Sequence, residues 1–246
     1  MTGVRFYGRG LPRVSDRQFA GKLIVIEGPD GVGRSTQIAL LREWLEASGY
    51  AVSLSGLRRS ELASVGIDAA KQGHTLGHTT MALYYAVDLA DRLERVIVPA
   101  LRAGFVVLTD RYLYSLIARN EVRGVDGAWL RSLMGFALVP DAVFFLRAEV
   151  KDLIPRVLGA RGFDYWESGM DFLGYNDYHE SFIEYQSRML EAFDRLRREY
   201  HFRCVDASGS IQSVFLQLRD GIQELVEELR PQVGAPDSVP RDSSSP

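Results

Sequence analysis

The sequence predicts a doubly wound α/β fold built on a parallel sheet. Three observations predict it. Short apolar runs alternate with longer helical patterns along the chain. Each run is four or five residues, β-branched or aromatic, and closed by polar residues or glycine, as parallel strands covered on both faces read. A glycine-rich segment, Gly28–Thr36, follows the first run directly and leads into a helical pattern.

The first run is Leu23–Ile26, followed by a helical stretch over Gln37–Ala47. The second is Ala51–Leu54. A long helical pattern, Met81–Ala103, leads to the third run, Phe105–Thr109. A helix over Ala128–Phe136 precedes the fourth, Ala142–Leu146. Tyr178–Glu199 reads as a long helix before the fifth run, Phe202–Val205, and Ile211–Leu229 closes the pattern. Strand and helix in alternation give right-handed crossovers and a parallel sheet. Ligands of such sheets bind beyond the carboxyl ends of the strands, so chemistry is expected just after the runs. Residues 1–20 carry four Arg, three Gly and no periodicity, and are expected to form a loose arm. Asp16 and the scarcity of Ser argue against a transit peptide. Residues 231–246 are rich in Pro and Ser and are expected to be disordered. The domain is expected over 21–230.

Composition excludes several classes. The 246 residues are 46% hydrophobic and 25% charged, the balance of a globular chain. No apolar run approaches the length of a membrane span. A net charge of −3 gives no bulk attraction to nucleic acid or anionic membrane. Cys204 is the single cysteine, which rules out an intrachain disulfide and suits a reducing cytoplasm. His74 and His78 are four apart but sit among glycines with no third ligand nearby, which argues against a metal site.

Gly28-Pro29-Asp30-Gly31-Val32-Gly33-Arg34-Ser35-Thr36 has the spacing of a phosphate cradle, with Arg where Lys is usual. Glycines let the backbone wrap closely, so that N–H groups point at phosphate oxygens, and the following helix adds its N-terminal partial charge. Ser35 would supply a hydroxyl to Mg²⁺, and Arg34 would reach the β and γ phosphates of ATP. Arg keeps the charge and binds phosphate in a fork, but is bulkier. Only three of the 29 basic residues are Lys, so drift in an Arg-rich chain is the competing account of residue 34. The third run ends in Asp110, a carboxylate suited to organising Mg²⁺ beside Ser35, and Arg111 offers a cation for a second phosphate.

These residues resemble the thymidylate kinase family. EGPDGVGRSTQ (27–37) is similar to its EGxDGxGKSTQ, TDRYLYSLIA (109–118) to its DRYxxSxxA segment, MALYYAVDLADRLERVIVPAL (81–101) to its long helix, and VDA (205–207) to its IDAS segment. The resemblance covers roughly 22–229. It implies a P-loop nucleoside-monophosphate kinase fold with a five-stranded parallel sheet and a mobile lid over about 156–176. The implied reaction moves the γ-phosphoryl group of ATP, with Mg²⁺, to dTMP or a variant nucleoside 5′-monophosphate. Carried over by position, Asp30 lies near the acceptor sugar and the reacting phosphates. Arg111 holds the acceptor phosphate, Arg58 or Arg59 clamps it, and Tyr85 stacks on the base. Tyr112 and Ser115 complete the acceptor segment, and Arg156 and Arg161 belong to the ATP side. Arg34, Asp30 and Arg111 form the expected catalytic set.

The departures fall on the acceptor side. Leu89 stands where the family has a base-reading Arg, Leu116 where it often has a polar reader, and Arg119 where it has Tyr. SGLRRSELAS (55–64) replaces its REPGGT loop. The expectation is an apolar acceptor slot that disfavours dTMP, with Arg92 a surface residue. A catalytically inactive nucleotide-binding paralogue and a hydrolase without an acceptor are the other readings. A homodimer is compatible with the sequence and not specified by it.

Overall fold

The computed structural model describes residues 5–12, 14, 19–57, 60–73 and 77–229. Five parallel strands form one sheet in the order β2-β3-β1-β4-β5: β1 Lys22–Glu27, β2 Val52–Gly56, β3 Val106–Asp110, β4 Ala142–Arg147 and β5 Arg203–Asp206. All five expected strands are present. Period-two alternation sends Leu23 and Val25 to one core and Ile24 and Ile26 to the other. On the first face the sheet packs against α3 (His78–Arg92), α5 (Leu113–Val122) and α8 (Tyr178–Tyr200). On the second it packs against α1 (Arg34–Ala47), α7 (Val150–Ala160) and α9 (Ile211–Val226). Register brings Ile26 beside Asp110 and Gly56 beside Asp110, so the ends of β1, β2 and β3 open onto one place.

The expected helix over Met81–Ala103 is three pieces. Between α3 and α4 (Val98–Arg102) the residues Leu93–Ile97 form a π-helical turn. α6 (Gly127–Leu133) is capped by the Asp126 carboxylate, which accepts from the Trp129 amide at 2.6 Å. Three helices are absent from the sequence reading: α2 (Ser64–Gly73), α5 and α7. Pro155 inside α7 argues against a helix there, because it removes one backbone donor. In α5, seven of ten residues are buried, so polar alternation is too weak to mark a helical stripe.

Within the segment expected as a loose arm, residues 5–11 are packed on the domain. Over 5–11 the chain lies along Gly135–Val139. The Tyr7 amide donates to Ala137 O (3.1 Å), the Val139 amide donates to Arg5 O (2.9 Å), and Phe6 pairs with Leu138 in an antiparallel bridge. Leu11 is buried and the Tyr7 and Tyr114 hydroxyls hydrogen-bond. Isolated apolar side chains each find a place on the core, a fit without periodicity that pattern reading passes over. The expected disordered tail lies outside the described residues. No helix among the described residues is long and apolar enough to cross a membrane.

Candidate active site

The cradle grows from β1. Gly28, Gly31 and Gly33 all have positive φ, and a Cβ at Gly31 would meet Val157 Cγ2 at 2.5 Å, so both backbone and space favour glycine at 31. Gly33 caps α1 with no side-chain bond, which leaves the first-turn N–H groups facing outward as an anion site. Arg34 folds back across the loop. Its Nε donates to Asp110 Oδ1 at 2.8 Å and its Nη1 donates to the carbonyls of Gly28 (2.7 Å) and Pro29. Ser35 Oγ donates to the other oxygen, Asp110 Oδ2, at 3.3 Å. Burial raises the Asp110 carboxyl, but Arg34 and Arg111 outweigh it and hold the group below the usual aspartate range. The neutral Ser35 hydroxyl and the ionised Asp110 carboxylate are thus hard oxygen donors side by side, which fits the protein half of a Mg²⁺ site. Among the described residues no cluster of three His, Cys, Asp or Glu exists to hold a metal by itself.

Arg111 follows Asp110 in the left-handed region, with φ of 67°. A buried Arg held there carries strain of about 1–3 kcal/mol and persists because its surroundings fix it. Its amide donates to Ile26 O at 3.0 Å and its carbonyl accepts from Thr109 Oγ1 at 2.9 Å. The turn aims the guanidinium at Asp30, with which Nη2 forms an ion pair, and at Ser115 Oγ (3.2 Å). Burial, with Arg34 close by, lowers Arg111 to about 10. Arg119 reaches the same Asp30 from α5, its Nη2 lying 3.1 Å from each carboxylate oxygen. Burial alone would raise Asp30; Arg111, Arg119 and Arg34 instead keep it ionised well below the ordinary range.

Glu27 is the site residue for which the sequence reading gave no role. Fully buried at the end of β1, it accepts from Ser115 Oγ (2.6 Å), the Tyr112 amide (2.9 Å) and the Ser115 amide (3.2 Å). It ties the start of α5 to the cradle and so sets where Arg111 and Arg119 emerge. Burial pushes its carboxyl up. The signal was its place at the carboxyl end of the first strand.

Two cavities flank this cluster. One, of about 620 Å³, runs along Gly31–Gln37, Arg156, Arg161 and Ala207–Ile211. The other, of about 570 Å³, is lined by Leu57, Lys71, Gln72, Tyr85, Arg111, Arg119, Tyr165 and Trp166 among others. They share Asp30, Arg34, Ser35 and Arg161. Most of the expected site residues therefore lie together: the cradle with Arg156 and Arg161 on one side, Tyr85, Arg111 and Arg119 on the other.

Several do not. Leu89 and Leu116 are buried in the core, 0% and 1% exposed, and line neither of these two cavities. The α3 and α5 faces that carry them turn inward. Tyr112 is also buried, its hydroxyl donating to Leu138 O. Arg92 is not at the surface: it is 2% exposed, paired with Asp88 at 2.9 Å and donating to Ser55 Oγ at 3.0 Å. Arg58, Arg59 and His74 fall outside the described residues. His78 Nε2 lies 3.5 Å from Asp171. The segment after α7, expected as lid, presses Trp166 against α2, its Nε1 donating to Lys71 O at 3.2 Å.

A glycine cradle at the head of α1, a carboxylate at the tip of the neighbouring strand and a second cavity, lined by Arg111 and Arg119, that meets the first define the class of P-loop nucleoside-monophosphate kinases. A thymidylate kinase family profile matches residues 26–218. The chain is 36% identical over 209 residues, 84% of its length and 98% of the relative's, to a protein of Saccharolobus solfataricus named probable thymidylate kinase 2. It is 33% identical to a probable thymidylate kinase of Thermococcus gammatolerans, over 79% of this chain and 92% of that one. It is 34% identical to a thymidylate kinase of Clavibacter michiganensis, over 84% and 96%. The chain belongs to the thymidylate kinase family.

Proposed function

We propose that this kinase transfers the γ-phosphoryl group of ATP to the phosphate of a nucleoside 5′-monophosphate, dTMP or a close variant. One observation carries the proposal: the two cavities meet at Asp30, Arg34 and Ser35, so a donor in the first and an acceptor in the second bring their phosphates together. An acceptor oxygen attacks Pγ, the bond from Pγ to the bridging oxygen breaks, and ADP leaves. Backbone N–H groups of the cradle hold the donor phosphates, Arg34 meets the charge on the transferring group, and Arg111 orients the acceptor phosphate. Arg156 borders the nucleotide beyond the phosphates, and Tyr85 gives the acceptor base a ring to lie on. Ser35 and Asp110 would hold Mg²⁺, which supplies charge neutralisation between the β and γ phosphates. Arg34 on Asp110 favours neither turnover nor its loss by itself, because a guanidinium can exchange a carboxylate for a phosphate of like geometry.

The test is ADP release with Mg²⁺ and a panel of nucleoside 5′-monophosphates, dTMP first. The expected result is ADP formation that depends on one class of acceptor. ADP formed equally without acceptor points to a hydrolase, and ATP binding without turnover points to an inactive nucleotide-binding paralogue. Either overturns the proposal.

A further inference from the structure

Arg119, in the last turn of α5, and Arg123, which caps its C-terminus, stand four residues apart, and their hydrogen bonding divides them. Arg123 uses every N–H it has. Nε and Nη2 donate to the two oxygens of Asp171 at 2.8 and 2.9 Å, Nη1 to Tyr185 Oη (2.8 Å) and Arg119 O (3.1 Å), and Nη2 also to Trp166 O (2.9 Å). Its guanidinium lies over Phe172 and Tyr185, 5.1 and 4.9 Å from the ring centres. Arg123 is complete without a ligand and fastens the 166–172 segment.

Arg119 is not complete. Among the described residues only Nη2 makes hydrogen bonds, both to Asp30, and Asp30 is already paired with Arg111. Nε is buried with no partner, and Nη1 makes no hydrogen bond among the described residues. A buried cationic donor left unmade is expensive, and Asp30 is shared by Arg111 and Arg119, while Asp110 is taken by Arg34, and Glu167, which also acts on Arg119, is taken by Arg161. Arg119 also lines the small inner recess beside Tyr85, Met81, Asn120 and Tyr185, where neither Arg34 nor Arg111 reaches. It therefore borders both the larger cavity and this recess, which Lys71, His78 and Arg123 also line.

We propose that Arg119 is a specificity-determining residue, and that the preferred acceptor carries, besides the phosphate that is phosphorylated, a second oxyanion that Arg119 binds through its unused donors. A hydroxyl or ring carbonyl would fill a donor but leave the charge; a phosphate or carboxylate does both. The inference rests on the reading of the 570 Å³ cavity as the acceptor site.

The experiment compares matched pairs. Thymidine 3′,5′-bisphosphate against thymidine 5′-monophosphate places the extra oxyanion on the sugar; orotidine 5′-monophosphate against uridine 5′-monophosphate places it on the ring. kcat/KM from ADP release and affinity from calorimetry are measured for the parent, Arg119→Met and Arg119→Lys, each checked for folding by thermal melting. The parent is expected to favour the charged member of at least one pair on the order of tenfold to a hundredfold. Arg119→Met should bring that ratio to about one, and Arg119→Lys should keep part of it. No preference in either pair, or a preference that survives Arg119→Met, overturns the inference. Phosphorylation of dTMP without any such preference sinks it while the kinase reading stands. Arg119-dependent binding of the charged member without ADP release upholds it while the kinase reading fails.

Discussion

The two cavities are made of different material. The cradle side is backbone: glycines at positive φ, unpaired N–H groups at the head of α1, and carbonyls that hold Arg34. The cavity proposed for the acceptor is side chains drawn from α2, α3, α5 and the segment after α7, locked by ion pairs that converge on Asp30. A wall of backbone depends on spacing and tolerates Arg at 34. A wall of side chains depends on which face of each helix turns inward, and one rotated helix changes its chemistry.

The strongest way to break this contrast is Leu89→Arg. If Leu89 were on the acceptor wall, the added cation would improve dTMP use. It is 0% exposed in the core, so an unpaired buried charge is expected to lower stability by about 3–5 kcal/mol, read from urea unfolding. A well-folded variant with better dTMP turnover would put Leu89 back on the wall. Next, Arg34→Ala should lower kcat on the order of 10²–10³-fold, while Arg34→Lys keeps or raises it. Equal activity of Arg34→Ala and parent would remove Arg34 from catalysis.

A smaller effect separates the two sides. Arg111→Ala should raise the acceptor KM about tenfold to a hundredfold, lower kcat, and leave the ATP KM nearly as it was. An equal rise in both KM values would mean the cavities are not independent. Glu27→Gln replaces an acceptor oxygen with a donor facing Ser115 and Tyr112, and should destabilise by about 1–3 kcal/mol in chemical denaturation.

The smallest effect is in pH. Asp30 and Asp110 are held below the ordinary aspartate value of 3.8, so the stability they contribute is present above it and lost as pH falls through their folded range. Glu27 is raised and acts in the opposite sense: its contribution is complete at low pH and fades as pH climbs through its raised value. Melting temperature against pH for parent and Asp30→Asn checks this. The variant's acid limb should be shallower, and identical limbs would contradict the assignment.

The same contrast governs what the sequence disclosed. Strands and cradle were legible because both are local: five buried runs and one glycine spacing. The acceptor wall was not. Arg111 and Tyr85 line the second cavity and Leu89 and Leu116 do not, since alignment to a motif gives place along a helix and not rotation about it. α5 was missed because burial on most sides erases its stripe, and α7 because Pro155 reads as a stop. Glu27 could be seen at the strand end, but its three bonds reach across 85–88 residues of sequence. The 5–11 segment hid its packing among arginines and glycines.

The π-helical turn at Leu93–Ile97 has a consequence for how this chain tolerates length change. Buried positions Leu89, Leu93, Ile97 and Leu101 follow one another in steps of four. In a regular helix each such step drifts by about 40° around the axis, so three would carry Leu101 about 120° away from Leu89. The wider turn absorbs part of that drift and keeps both ends of the rod seated on one side of the sheet. It behaves as a spare link. Deleting one residue within 93–97 is the change this link absorbs: with ordinary winding Leu101 would follow Leu89 by eleven residues, about 20° off its line, so both ends would keep their seats.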